Sequence, residues 1–223
     1  MKTLGILGGM GPAATVAFLD RLLALTPARE DEDHIRVVMD MNPRVPNRHR
    51  DPPGAKEELA AMAARLKVMG AETLAMPCNT AHAHADAIRA AGLPFLDMIA
   101  LTAAEAAGQL ADGGPRRIGV LATPGGQDLY VAELERRGLT PVVPEVGGRR
   151  AFLDLVFQVK AGDVGPERRA EMRVLAQALI DDGAGALIAG CTEIPLLMGP
   201  ADVAVPLIDS AETLARACVR ECA

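Results

Sequence analysis

The chain has 223 residues and a formal net charge of −6, and it is 50% hydrophobic with no Trp, one Tyr and four Phe. This length allows one large domain or two small ones, with a core built mainly of aliphatic residues and Met. The lack of a basic patch argues against nucleic acid as a partner. No apolar run is long enough for a membrane span, so no membrane partner is expected.

The N-terminus enters a turn too soon for the apolar region of a signal peptide. The four cysteines, at positions 78, 191, 218 and 222, do not have the density of a disulfide framework. These observations predict a cytoplasmic protein with reduced thiols. Cys218 and Cys222 are interpreted as incidental residues of the last helix.

Short apolar runs bounded by turn residues alternate with helical periodicity along the whole chain. Such runs are typical of buried parallel strands. The pattern predicts strands at 4–7, 35–41, 73–76, 93–99, 117–122, 140–143, 186–189 and 205–209. It predicts helices at 13–23, 56–69, 81–91, 102–110, 127–137, 152–161 and 167–182, and a last helix that begins at Ser210.

Segments of the first half recur in the second half. Gly5 corresponds to Gly119 at an offset of 114, and Asp97 corresponds to Asp209 at an offset of 112. The repetition predicts an α/β fold of two similar, pseudo-symmetric, Rossmann-like domains with mostly parallel sheets. The first domain is expected to span 1–100, with the segment 207–223 returning to it, and the second 101–206. The active site is expected at their interface, since shared clefts are favoured ligand sites.

Cys78 and Cys191 stand in the most similar segments of the two halves. Each follows an apolar run, and we expect each at the carboxyl end of a parallel strand, where a helix begins. A helix N-terminus lowers the pKa of a thiol. A single free cysteine is commonly a small buried hydrophobe, but here polar residues follow both. These residues are Asn79, Thr80, Thr192 and Glu193.

Two thiols on opposite sides of one carbon are suited to stereoinversion. One thiolate removes the Cα proton from one face, and the other thiol delivers a proton to the opposite face. Hydrogen bonds to the substrate carboxylate can stabilise the carbanion without an electron-sink cofactor, so we expect no cofactor. Residues of the right type for these hydrogen bonds are Asn79, Thr80, Thr123 and Thr192.

Three motifs resemble the signature sequences of the aspartate/glutamate racemase superfamily, on its aspartate racemase side. They are LGILGGMGPAAT at 4–15, PCNTAH at 77–82 and GCTEIPLL at 190–197. The resemblance implies a cofactor-independent amino-acid racemase of two α/β domains, often a homodimer. It implies that Cys78 and Cys191 are the two catalytic bases and that the partner is a small amino acid, most simply aspartate.

The resemblance also assigns residues to the substrate. Arg48 and Lys160 would bind a side-chain carboxylate, although Asn47 replaces the Asp that precedes this arginine in aspartate-active members. Glu193 stands where glutamate racemases carry His, which argues against a dedicated glutamate racemase. Other chemistry of the superfamily, such as broad-specificity racemisation, isomerisation or decarboxylation, is the alternative. The remaining residues assigned to the substrate are Met10, Asn79, Thr80, Thr123, Thr192 and Glu193.

A dinucleotide site is one alternative of a different class. The segment 9–14 fits G-x-G-x-x-G/A, and Asp40 follows at the end of the second predicted strand. Against this, Pro12 removes one N–H from the phosphate-binding loop, and the two cysteines would have no role.

A zinc site is the other alternative. Cys78 and His82 lie one helical turn apart with His84 nearby, and Cys191 and Glu193 could complete a set of ligands. We expect instead that both histidines lie on a helix surface or hydrogen bond near the site, and that no metal is bound.

Overall fold

The computed structural model describes residues 1–47, 51–111 and 114–223. The chain divides into two compact units, one formed by 1–101 with 211–223 and the other by 102–210. No helix in these described ranges combines the length and the apolar character needed to cross a membrane.

The first half of the chain alternates strands and helices. They are β1 (Leu4–Gly8), α1 (Pro12–Leu25), β2 (Val37–Met41), α2 (Pro52–Val68), β3 (Thr73–Ala75), α3 (Ala85–Arg89), β4 (Phe95–Leu96) and α4 (Met98–Gly108). Short 3-10 turns lie at Asp31–Asp33 and Thr80–His84. The four strands form a parallel sheet in the order β2-β1-β3-β4.

The second half repeats this plan. Its elements are β5 (Arg117–Leu121), α5 (Pro124–Arg136), β6 (Thr140–Val142), α6 (Val146–Lys160), α7 (Pro166–Asp181), β7 (Ala186–Ala189), β8 (Leu207–Asp209) and α8 (Ser210–Cys222). The sheet is again parallel, in the order β6-β5-β7-β8. The predicted α/β fold with two similar parallel sheets is confirmed.

Both faces of the first sheet are covered, which explains why β1 is apolar or glycine at every position. Adjacent residues of a strand point to opposite faces. Accordingly, Ile6 belongs to one buried cluster with Phe18 of α1 and Leu214 of α8, and Leu7 belongs to another with Leu59 of α2.

The fourth strand is shorter than predicted and the following helix begins earlier. β4 covers only Phe95–Leu96, and α4 begins at Met98 rather than Thr102. The reason is Asp97, whose Oδ1 accepts hydrogen bonds from the backbone N–H groups of Ile99 (3.0 Å) and Ala100 (3.1 Å). A carboxylate that satisfies the first N–H groups of a helix fixes where the helix begins.

The helices expected directly after the two cysteines are replaced by tighter turns. After Cys78 the chain forms the 3-10 turn Thr80–His84 before the short α3, and after Cys191 it forms only the 3-10 turn Ile194–Leu196. Near Cys78, the His82 side chain is hydrogen bonded to the backbone carbonyl of Cys78, which an α-helix would pair with the backbone N–H of His82. That N–H donates to the carbonyl of Asn79. Such side-chain bonds to the local backbone compete with α-helix formation.

Candidate active site

Each of the two conspicuous cysteines follows an inner strand of its own sheet. Cys78 comes after β3, and Cys191 comes after β7. Each is 7% exposed. The carboxyl ends of inner parallel strands are where ligands bind in open α/β sheets. Both thiols are therefore placed where a substrate site is expected, each within its own unit.

The turn that carries Cys78 is held by His82. The Nδ1 atom of His82 lies 2.8 Å from the carbonyl oxygen of Cys78, and the backbone N–H of Met98 donates to Nε2 at 3.1 Å. Because Nε2 accepts this bond, Nδ1 must carry the proton and donate to Cys78. The imidazole thus connects the cysteine turn to the first residue of α4.

His82 is a neutral residue in this position. It is 5% exposed, and burial lowers its pKa, with the Asp97 carboxylate opposing the shift. Its ring packs against Phe95 with centroids 5.3 Å apart. Both ring nitrogens are occupied, so His82 has none free for a metal ion.

Metal binding finds no further support in the geometry. Among the residues that the structure describes, no three Cys, His, Asp or Glu side chains are grouped so that they could hold a metal ion. The expectation that His82 lies on a helix surface or forms a hydrogen bond near the site is confirmed in its second form, by the two hydrogen bonds of the imidazole. The spacing Cys-x-x-x-His was the signal for this contact.

The turn that carries Cys191 has a carboxylate at its centre. The Cys191 thiol donates to Oε2 of Glu193 at 2.9 Å, and the hydroxyl of Thr192 donates to the same oxygen at 3.2 Å. The other oxygen, Oε1, lies 3.7 Å from Nζ of Lys160 at the end of α6. The structure thus brings together four residues that the sequence assigned to the site, Cys191, Thr192, Glu193 and Lys160.

This environment raises the pKa of Cys191 well above the ordinary value of a thiol. The largest cause is burial, the second is the Glu193 carboxylate, and the Lys160 ammonium opposes both. The expectation of a lowered pKa at a helix N-terminus was wrong for Cys191, because the thiol is buried, a carboxylate contacts the sulfur and no α-helix begins there.

The backbone beside Cys191 is tightly packed. A Cβ atom on Gly190 would lie 2.7 Å from the Tyr130 ring and 3.0 Å from the Cβ of Ala122. Only glycine lets the chain leave β7 at this distance from Tyr130.

The loop between β1 and α1, which contains Gly9 and Gly11, is held by hydrogen bonds to Thr15 of α1. The N–H of Gly9 donates to Oγ1 of Thr15 at 2.9 Å, and this hydroxyl donates to the carbonyl of Gly11 at 3.0 Å. Gly9 has φ +95°, and a Cβ there would meet the backbone of Asn42 at 2.5 Å. Met10 lies in the same buried cluster as Cys78, so the structure brings these two predicted site residues together.

The acidic residue that a dinucleotide site would need, Asp40, is already paired with an arginine. Asp40 accepts a hydrogen bond at 2.8 Å from Nε of Arg65. Arg65 in turn donates to Glu58 at 2.7 Å. The carboxylate that would bind a ribose is therefore engaged in an ion pair, and Gly9 has its N–H occupied by Thr15.

The other predicted site residues lie next to strand ends. Asn79 is buried and Thr80 half-buried directly after Cys78, and Thr123 is the N-cap residue of α5 after β5. Arg48 lies outside the described residues. Sequence reasoning missed the role of Asp97 at the start of α4, for which an Asp directly before a helical run was the signal.

The fold has two parallel sheets, and in each of them a buried cysteine follows an inner strand. This arrangement fits a cofactor-independent racemase, an enzyme of the isomerase class. The sequence profile of the Asp/Glu/Hydantoin racemase family matches residues 7–218, and the chain belongs to this family. The resemblance noted from the three motifs is confirmed.

Individual relatives cover nearly the whole chain. The broad specificity amino-acid racemase RacX of Bacillus subtilis is 26% identical over 226 residues, which cover 97% of this chain and 96% of RacX. A glutamate racemase of Pseudomonas aeruginosa is 31% identical over 200 residues, covering 85% of this chain and 72% of that enzyme.

Solved structures agree with the fold. The aspartate racemase of Picrophilus torridus superposes with a TM-score of 0.85 at 28% identity, covering 100% of this chain and 94% of the other. An aspartate racemase homologue from Pyrococcus horikoshii gives 0.83 at 25% identity, covering 100% and 99%. The two-sheet architecture is thus that of known racemases.

Proposed function

We propose that the chain interconverts L- and D-aspartate, without a cofactor, by a two-base mechanism in which Cys78 and Cys191 exchange roles. The observation that carries the proposal is the placement of the cysteines, each buried after the equivalent inner strand of one of two similar sheets. The similarity to an aspartate racemase over the whole chain supports the choice of substrate.

In this mechanism one sulfur is a thiolate and the other a thiol at the start of a turnover. The thiolate removes the Cα proton, the carbanion forms, and the opposite thiol protonates the other face. In the reverse reaction the roles are exchanged. The mechanism requires that both thiols reach the same Cα atom, and the exchange experiments described below test that requirement.

The α-carboxylate and amino group need polar partners that stabilise the carbanion. We assign this role to Asn79, Thr80, Thr123 and Thr192, which follow strand ends in one or the other unit, and we assign Met10 to the apolar wall beside Cys78.

The side-chain carboxylate of the substrate is assigned to Lys160 and Arg48. Lys160 is 46% exposed, so its ammonium, which lies 3.7 Å from Glu193, can be reached by a ligand. A charged hydrogen bond of this kind contributes roughly 1.5–3 kcal/mol. Replacing either cation is expected to weaken the binding of a dicarboxylate more than that of a neutral amino acid.

A broad-specificity racemase is the second candidate, favoured by the nearly complete mutual coverage with RacX. Incubation of the reduced, EDTA-treated protein with L-aspartate in D2O, followed by proton NMR and polarimetry, separates the possibilities. We expect loss of optical rotation with deuterium entering Cα. The same assay with glutamate and homoserine measures the substrate range, and the lack of exchange with all three would contradict the proposal.

We also propose a homodimer, which the family resemblance supports. Light scattering should then give twice the chain mass of 23.3 kDa. We further propose a cytoplasmic location with reduced thiols, which cell fractionation would test. Alkylation after denaturation should modify all four cysteines.

A further inference from the structure

One carboxylate joins the Cys191 thiol to the Lys160 ammonium. Oε2 of Glu193 accepts from the thiol at 2.9 Å, and Oε1 of the same group lies 3.7 Å from Nζ of Lys160. The Glu193 side chain is 12% exposed, whereas that of Lys160 is 46% exposed. A buried reacting atom is thus connected, through two oxygens of one side chain, to a cation that a ligand can reach.

We propose that Glu193 accepts the proton of the Cys191 thiol and that the side-chain carboxylate of an acidic substrate triggers this transfer by drawing Lys160 away from Glu193. The inference rests on the proposed racemase function and deepens it. It makes the pair of Glu193 and Lys160 a determinant of which substrates react, and not only of which substrates bind.

The transfer conserves protons and charge. The S–H bond of Cys191 breaks and its electron pair stays on the sulfur, while an O–H bond forms at Oε2 of Glu193. A thiol and a carboxylate become a thiolate and a carboxylic acid. The thiolate then takes the Cα proton, and Cys78 protonates the other face. Glu193 afterwards loses its proton to solvent, from which Cys78 regains one.

The trigger follows from competition for one cation. With Lys160 beside it, the Glu193 carboxylate faces an ammonium at one oxygen and the Cys191 thiol at the other. When a second carboxylate pairs with Lys160, the ammonium is drawn from Oε1, and the thiol proton at Oε2 becomes the nearest positive partner of Glu193. A buried thiol needs such help, because burial disfavours the thiolate. The hydroxyl of Thr192, which donates to Oε2 at 3.2 Å, can remain on that oxygen or turn to solvent.

A simpler role for Lys160 makes a different prediction. If Lys160 only binds the substrate carboxylate, its loss raises KM for aspartate and leaves the turnover of a neutral amino acid unchanged. If Lys160 also restrains Glu193, its loss frees Glu193 permanently. A neutral amino acid should then turn over faster in the variant than in the native protein.

The test compares aspartate with asparagine, its neutral isostere, by Cα deuterium exchange in D2O. In the native protein we expect kcat for aspartate to exceed that for asparagine by about 10²-fold, within the range of general acid–base effects. In Lys160→Met, kcat for asparagine should rise about tenfold while KM for aspartate increases. The matched control is Arg136→Met, which removes another cation from the last turn of a helix, paired with Glu133.

A second variant tests the proton acceptor directly. Glu193→Gln keeps the shape of the side chain but should lower kcat for aspartate by about 10²-fold with KM little changed. Glu133→Gln is the control, because the Glu133 side chain is similarly shielded (14% exposed) and forms ion pairs with Arg136 and Arg137. Thermal melts establish that both variants are folded.

The outcomes separate the two proposals. If the native protein exchanges no amino acid, the proposed function fails. If it racemises aspartate but Lys160→Met changes only KM, or shows no measurable gain with asparagine, the inference on Glu193 fails and the racemase function stands. A Glu193→Gln variant that is folded and keeps the native kcat would overturn the inference as well.

Discussion

The Cys78 turn and the Cys191 turn occupy the same place in two similar sheets but have different polar support. Cys78 is held through its backbone carbonyl by the neutral imidazole of His82, whereas the sulfur of Cys191 itself bonds to the Glu193 carboxylate. His82 fixes the position of the Cys78 turn, whereas Glu193 both contacts the Cys191 turn and raises the pKa of its thiol. A duplicated backbone can therefore present two thiols with different chemistry.

The strongest test of the comparison removes each thiol in turn. Cys78→Ala and Cys191→Ala should each lower the racemisation rate by at least about 10³-fold, because one acid/base group is missing from the two-base cycle. Each variant should still exchange the Cα hydrogen of one enantiomer, and the two variants should act on opposite enantiomers. Polarimetry and proton NMR in D2O measure both effects.

Cys218→Ala is the control for these variants, since Cys218 is buried in a cluster with Leu4 and Phe18 rather than in either turn. It should racemise at the native rate when folded. Normal racemisation by both single variants at 78 and 191 would show that the two turns do not form one mechanism.

The support of the Cys78 turn can be broken at His82. In His82→Phe two buried hydrogen bonds are lost, one to the carbonyl of Cys78 and one from the N–H of Met98, and each contributes roughly 0.5–1.5 kcal/mol to stability. The free energy of unfolding, from urea denaturation, should fall accordingly, with a loss of kcat. His82→Gln keeps some hydrogen-bonding capacity and should lose less. Equal stability of the Phe variant and the native protein would contradict the role of this residue.

The support of the Cys191 turn can be disturbed sterically at Gly190. Gly190→Ala brings a Cβ within 2.7 Å of the Tyr130 ring, so the strand end must shift. Overpacking of this kind costs about 1–3 kcal/mol of unfolding free energy. Gly147→Ala, in α6, is the matched control because a Cβ there meets nothing within 4 Å. The two alanine variants should therefore differ in Tm, and equal melting temperatures would argue against the close packing at Gly190.

The smallest effect expected is a pH dependence of the unfolding free energy, which arises from His82 in the Cys78 turn. Burial lowers the pKa of His82 below its ordinary 6.5, so the unfolded chain binds a proton that the folded chain does not. Stability is therefore complete above pH 6.5 and is lost as the pH falls towards the lowered value, by at most about 1.4 kcal/mol per pH unit. Urea denaturation at pH 7.5 and 5.0 measures the slope, which should be shallower in His82→Gln. An unchanged slope would exclude His82 as its source.

Much of the fold was predictable because its signals are local. Strands such as Leu4–Gly8 and Ala186–Ala189 are short, unbroken apolar runs, and burial on both faces requires that composition. The cysteines could be placed after strands for the same reason. The 3-10 turn after Cys78 could not be predicted, since it depends on competition between the His82 side chain and the backbone.

The two parallel α/β sheets, the duplication and the position of a cysteine after the equivalent strand of each half could be predicted from local sequence patterns. Hydrophobic periodicity encodes these features in neighbouring residues. Which groups from distant segments reach each cysteine turn followed only from the tertiary structure. Met98 bonds to His82 across 16 positions, and Lys160 at the end of α6 meets Glu193 after β7. The acidity of a thiol depends on burial and on charges within a few ångströms, and only folding brings such groups together.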